Sequence, residues 1–516
     1  MTPFGSIRTL RLTGMESFSN ITQGTFVKPS SKSDFNLLPA LVAIAIGIAI
    51  WFIPTPEGVS AQGWLMLAIF VATIAAIIGK AMPIGAISIV AITVVAVSGV
   101  TSDNPGTAIR DALGSFNNSL IWLIAIAIMI SRGLIKTGLG ERIGYYFIAI
   151  FGKRTIGIGY GLALSELVIA PVTPSNTARG GAIIHPIMLS IAQSYGCTPD
   201  NENTNKIGKY LALVNYHANP ITSAMFITAT APNPLTVKLI ADATGSAISL
   251  SWTTWALAML LPGLVAIALM PLMIYLMYPP EIKATPDAVS FARERLERLG
   301  KLTRDEGIML GVFVVLLLLW ADIPAWIFGA SYKLNATTTA FVGLSILLVT
   351  GVLTWKDALS EKSAWDTLVW FGALVMMATQ LNELGVIDWF SGAIQEGIVS
   401  TGLAWPASTA LLVLVFLYSH YFFASTTAHI TAMMGAFLVV GLGLGAPPMA
   451  FVLMMAATSS IMMTLTHYAT GTSPVIFGSG YVSLSEWWKA GFVMSLVNLI
   501  IWIVVGGLWW KLLGYW

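Results

Sequence analysis

The chain has 516 residues, 56% hydrophobic and 10% charged, with a net charge of +2 and a mean hydropathy of +0.80. Soluble domains carry roughly 25% charged residues, so this chain cannot cover a water-facing surface and its solvent is a lipid bilayer. No basic stripe suits a nucleic acid, the single cysteine, Cys197, forms no intrachain disulfide or Cys-based zinc site, and the histidines lack HExxH spacing, so neither metal nor cofactor is expected.

Residues 1–35 read as a flexible polar tail, with Arg8, Arg11, Lys28 and Lys32 set against Glu16 and Asp34. No apolar core with a cleavage site marks a signal peptide; the alternative is an organellar transit segment. Apolar runs then follow at 36–53, 62–79, 84–100, 119–135, 210–228, 254–278, 308–328, 339–353, 364–381, 405–423 and 490–510. Each is close to the roughly 20 residues that cross the hydrocarbon as a helix, which predicts about eleven spans. Two further segments, 155–192 and 424–476, are apolar but broken by Pro, Gly, Ser, Thr and Asn. One polar break, "PEIKATPDAVSFARERLERLGKLTRDE" at 280–306, divides a first half, 36–279, from a second, 307–516. Its Lys and Arg content places it on the cytoplasmic side, as a solvated connector whose "FARERLERLG" can form a short surface helix. Trp487, Trp488, Trp509 and Trp510 read as interfacial belt aromatics.

The halves resemble each other. "SLIW" at 119–122 answers "TLVW" at 367–370, and "SNTA" at 175–178 answers "STTA" at 425–428, with offsets of 248 (367 − 119) and 250 (425 − 175). "TATAPNP" at 228–234 and "THYATGTSP" at 466–474 continue the order. Interrupted apolar segments at matching places in two halves point to the binding site of a secondary transporter. Non-helical backbone at membrane depth has to face protein or a wet cavity. "VTPSNTARGG", where Pro171 and Pro174 stop a helix, is therefore expected to be the tip of a re-entrant hairpin, and "FASTTAHITAMMGA" at 423–436 its counterpart. The two later breaks read as unwound points where a half-helix begins. Helix N-termini and Ser or Thr hydroxyls recognise carboxylates, and two such clamps suit a substrate with two of them. Arg179 and His429 each stand four residues after the tip serine. A charge at membrane depth costs roughly 2.5–3.5 kcal/mol unless compensated, so both are expected to be counter-charges for the anion. The bland alternatives are a hairpin cap for Arg179 and an ordinary hydrogen-bonding histidine. Glu166 is read as a structural partner of Arg179, with proton carriage as the alternative. Unshifted, His429 would titrate near pH 6.5, and His429→Gln would then remove a pH response of transport.

The motifs "GLGERI" (138–143), "GKRT" (152–155), "APVTPSNTARGG" (170–181), "TAPNP" (230–234), "SAWDTLVW" (363–370), "FASTTAH" (423–429) and "THYATGTSPVIFGSGY" (466–481) resemble those of the divalent anion:sodium symporter family. The nearest look is to its branch of bacterial citrate/succinate and tartrate/succinate antiporters and plastid 2-oxoglutarate/malate translocators. The resemblance implies an all-α polytopic inverted repeat with eleven spans, two re-entrant hairpins, a dimerising scaffold domain and a transport domain moving as an elevator. It implies di- and tricarboxylate substrates bound by Ser175, Asn176 and Thr177, by Ser425, Thr426 and Thr427, and at the unwound points by Thr228, Thr230, Thr466 and His467. It also implies a homodimer in the inner membrane, or in the plastid inner envelope for a plant source.

The second tip departs from the sodium-coupled pattern. Thr426 stands where that pattern has Asn, which removes an amide oxygen from a sodium ligand set. Sodium-independent exchange is therefore expected, with a sodium-coupled symporter as the rival. An intramembrane hydrolase using Ser473 or Ser479 gives no reason for duplicated motifs, and a channel gives none for two hairpins.

Overall fold

Inside lipid no water is available to backbone groups, so a chain of this composition closes its hydrogen bonds within helices. The structure, a computed structural model, describes residues 35–199, 203–387, 389–390, 392 and 404–516. Of the tail expected at 1–35, residues 1–34 lie outside these described residues. Among them the fold is all-helical, with one isolated bridge between Arg154 and Ala284.

Among the described residues, seven helical stretches are long and apolar enough to cross a bilayer: Ala61–Ile78, Ser119–Thr137, Thr155–Val172, Trp252–Met277, Trp405–Phe422, Thr426–Gly443 and Leu484–Leu512. Shorter apolar helices occupy Leu37–Phe52, Ile84–Ser98, Ala336–Val349 and Pro448–Thr464. The run expected as a span at 210–228 is the helix Gly208–Met225, and it is no lipid-facing rod. Asn215, His217, Asn219, Thr222 and Ser223 are all buried on it, so it runs through the protein core. Local chemistry sets the ends of many helices. The side chains of Ser60, Asn118 and Ser251 accept backbone N–H groups at their helix starts, and Thr303/Glu306, Thr354/Asp357 and Ser483/Glu486 form capping boxes.

The connector contains a helix, Pro286–Leu299, which buries Ala288, Val289 and Ala292 and packs against Leu139–Phe151. Arg142 fastens its end, donating to Gly300 O at 3.0 Å and to Glu306 Oε1 at 2.7 Å. It is thus anchored on one face rather than fully solvated. Two of the four belt tryptophans are interior as well. Trp487 is buried against Tyr216 with ring centroids 4.3 Å apart, and buried Trp510 donates to Ala258 O at 2.9 Å.

The two broken segments follow one plan. Thr155–Ile169 runs into a single 3-10 turn, Ala170–Val172, then an extended break, then a π-helical stretch Thr177–Ile184 and the helix His185–Ser194. Trp405–Ser419 runs into the 3-10 turn His420–Phe422, a break, the short helix Thr426–His429, the π-helical Ile430–Met434 and Gly435–Gly443. The later breaks also match: Gly208–Met225 is followed by the 3-10 turn Ile227–Ala229, and Pro448–Ile461 by Met462–Thr464. The four breaks meet beside Ser119–Thr137 and Lys362–Glu383, two helices packed on each other.

Candidate functional site

Where the breaks meet, a cavity of about 220 Å³ opens. Ser175, Asn176 and Thr177 from the first tip line it, with Ser425, Thr426 and Thr427 from the second and Thr230 from the third break. Those seven are among the residues the sequence singles out. Each tip serine caps its own helix: Ser175 Oγ accepts from Ala178 N at 3.1 Å, and Ser425 Oγ from Ala428 N at 3.3 Å. A hydroxyl that accepts in this way keeps its hydrogen for another partner. Asn176 ties the first tip to the fourth break by donating to Thr470 Oγ1 at 2.9 Å. Helices starting at Thr177, Pro232 and Thr426 turn their N-terminal ends toward the same space. Each such end carries partial positive charge. Among the described residues, no charged side chain lines the cavity.

Arg179 is placed differently from its expected role as a counter-charge. It is fully buried, and its Nε donates to Glu166 Oε1 at 2.6 Å. Its Nη1 donates to Thr173 O and to Ala229 O, both at 2.7 Å, and its Nη2 to Ser223 Oγ at 3.0 Å. Thr173 belongs to the first break and Ala229 to the third. Arg179 therefore clamps two interrupted backbones together and meets carbonyls that no helix satisfies, while Glu166 balances its charge. Asn219 extends the clamp, donating to Glu166 Oε1 at 2.6 Å and to Asn176 O at 3.0 Å.

His429 also stands behind its tip and outside the cavity lining. It lies between Phe416 and Phe423, with centroids 4.5 and 4.4 Å away. Its Nδ1 is 3.0 Å from His420 Nδ1, and its Nε2 is 3.0 Å from Ser419 Oγ. Thr228 is buried, donating to Pro171 O and accepting from Trp252 Nε1 at 3.0 Å. Thr466 is fully buried, and His467 accepts from Trp488 Nε1 at 3.2 Å, away from the cavity. These five support the walls. Ser473, one of the two serines of the hydrolase alternative, is buried against the Tyr216 hydroxyl at 2.8 Å, with no histidine paired to it among the described residues.

The cavity also takes residues that the sequence reading did not select: Ile128, Ser363, Thr367, Thr470 and Gly471. Four of them fall inside quoted motifs, "SAWDTLVW" and "THYATGTSPVIFGSGY", so the signal was present. Ile128 carries none, since it looks like any apolar span residue. Gly471 has a steric reason to be glycine: a Cβ there would sit 2.5 Å from Thr177 Oγ1.

An all-helical fold with membrane-length apolar helices and a polar cavity between matched broken helices fits a multi-pass membrane transporter. The family described as the sodium:sulfate symporter transmembrane region matches residues 35–516, and the chain belongs to it. It is 49% identical over 485 residues to YflS of Bacillus subtilis (strain 168), covering 94% of this chain and 98% of that one. It is 44% identical to the chloroplastic dicarboxylate transporter 1 of Spinacia oleracea, covering 93% and 82%. It is 35% identical to the L-tartrate/succinate antiporter of Shigella sonnei (strain Ss046), covering 94% and 99%. Among solved structures it shares its fold with MtrF of Neisseria gonorrhoeae, at a TM-score of 0.56 and 12% identity, covering 92% of this chain and 94% of that one.

Proposed function

We propose that this protein exchanges di- and tricarboxylates across the inner (cytoplasmic) membrane without sodium. The observation that carries the reading is the uncharged cavity in which hydroxyls and one amide converge from two matched tips. Each tip offers a serine hydroxyl hydrogen, a threonine hydroxyl (Thr177 or Thr427) and a helix N-terminus, which suits one carboxylate per tip. The names of the spinach and Shigella relatives fit a dicarboxylate substrate.

Charge argues for exchange. Since Arg179 is balanced by Glu166, a bound dianion brings two uncompensated charges. Moving them alone against the membrane potential costs about 4.6 kcal/mol per 100 mV. Returning with a second dianion cancels that term. Charge balance thus favours exchange. Sodium would be the other way to cancel it, but Thr426, which stands where the sodium-coupled pattern has Asn, turns its hydroxyl to a carbonyl of the fourth break. Ala469 O accepts from Thr426 Oγ1 at 3.2 Å and also faces His420 Nε2 at 3.0 Å.

The cavity lies between the tips and the packed pair Ser119–Thr137 and Lys362–Glu383, which suits an elevator in which the tips slide along that pair. A two-fold dimer, the commonest closed assembly, would hold the pair still. The connector at 280–306 would face the cytoplasm between halves 36–279 and 307–516. Uptake of labelled succinate by purified protein in vesicles tests the site: Ser175→Ala and Thr427→Val should each raise KM several-fold. Parental KM in both would remove the tips from the site.

A further inference from the structure

The motif "SAWDTLVW" has no part in the clamp described above, yet it supplies a third wall of the cavity. Ser363 and Thr367 stand one turn apart on the helix Lys362–Glu383, and both line the cavity beside Ile128. Neither side chain has a hydrogen-bond partner among the described residues, although Thr367 is only 5% exposed. Ser363 is exposed and Thr367 lines the cavity, so both hydroxyls are free to meet a ligand there. This wall also belongs to a different group of helices from the tips: Lys362–Glu383 packs on Ile84–Ser98 and Ser119–Thr137.

We propose that Ser363 and Thr367 read the substituent on the carbon chain of the substrate and set a preference for dicarboxylates that carry a hydroxyl on carbon 2. The inference rests on the dicarboxylate reading of the cavity. With one carboxylate at each tip, the linking carbons face the third wall. A serine or threonine hydroxyl both donates and accepts, so the pair matches a hydroxylated carbon and leaves a plain methylene unmatched. Ile128 packs against the unsubstituted side. A site that hydrogen-bonds a substrate hydroxyl discriminates against the analogue lacking it, because its own polar groups are then unpaired.

The test is competition for labelled succinate exchange by unlabelled malate and unlabelled succinate, in the parent, Ser363→Ala, Thr367→Val and the double variant. The expected result is that malate competes better in the parent and that the malate-to-succinate ratio falls about five- to tenfold in the double variant, through weaker competition by malate. Thr367→Ser, which keeps the hydroxyl, should keep the parental ratio and shows that the position tolerates change. An unchanged ratio, or equal losses for both acids, would overturn the proposal while leaving the tip site intact. A parent that exchanges no dicarboxylate would instead overturn the reading beneath it.

Discussion

The Arg179–Glu166 clamp separates two roles for a buried cation, support of the breaks and direct binding of the anion. Arg179→Met removes the guanidinium and leaves Glu166 fully buried without its cation. Breaking a buried pair from one side costs about 3–5 kcal/mol. The carbonyls of Thr173 and Ala229 lose their donor as well, at roughly 1–3 kcal/mol for each unsatisfied group. The total is roughly 5–11 kcal/mol, the size of a whole domain's stability. Glu166→Gln combined with Arg179→Met removes both charges, so the double variant should recover the 3–5 kcal/mol part and be more stable than Arg179→Met alone. Cys197 supplies the readout, since it is the only cysteine and is buried. A thiol-reactive dye followed during heating in detergent therefore reports unfolding. Arg179→Met with the parental unfolding temperature but no exchange would refute this reasoning and return Arg179 to the substrate.

Gly471→Ala puts a Cβ 2.5 Å from Thr177 Oγ1 and pushes the first tip from the fourth break; it should cost about 1–3 kcal/mol and raise KM, whereas Gly435→Ala, with nothing nearer than Leu239 Cδ2 at 3.9 Å, should do neither. His429→Gln should lower the unfolding temperature, because the ring holds His420 and Ser419, and should leave the pH profile of exchange in place; a lost pH response at parental stability would restore the counter-charge role. The Lys136 ammonium, 2.6 Å away, and then the Thr354 N–H and hydroxyl hold the Asp357 carboxyl well below the usual carboxylate range. A depressed native value stabilises above the unfolded carboxyl pKa of about 4 and loses that contribution as pH falls through the native value. The parent should therefore lose more stability than Asp357→Asn between pH 5 and 3, by no more than roughly 1 kcal/mol, since the lysine is partly exposed and screened; parallel melting curves would contradict the pairing.

Much of the cavity was legible because lipid makes broken backbone conspicuous. Pro171, Pro174 and the Ser175–Asn176–Thr177 run stand out in an apolar chain, and the return of the run as Ser425–Thr426–Thr427 supplies a partner across the fold. What sequence could not separate was facing. Arg179 and His429 share their register with the tips, yet one helical turn places them behind the tips against Glu166 and His420. Ser363 and Thr367 escaped because two hydroxyls spaced by four on an apolar helix look like ordinary back-bonding to the preceding turn. Gly208–Met225 read as a span like the others, and only packing shows that all its sides meet protein.

Exchange itself is tested most directly in vesicles reconstituted with purified protein. Labelled succinate uptake is measured with internal succinate or with none, each in sodium and in choline buffer. The account predicts fast uptake only with internal dicarboxylate, at equal rates in both buffers and unaffected by an imposed membrane potential. Uptake into empty vesicles that requires sodium would contradict it, and would make the cation rather than a second anion the partner that cancels the substrate's charge.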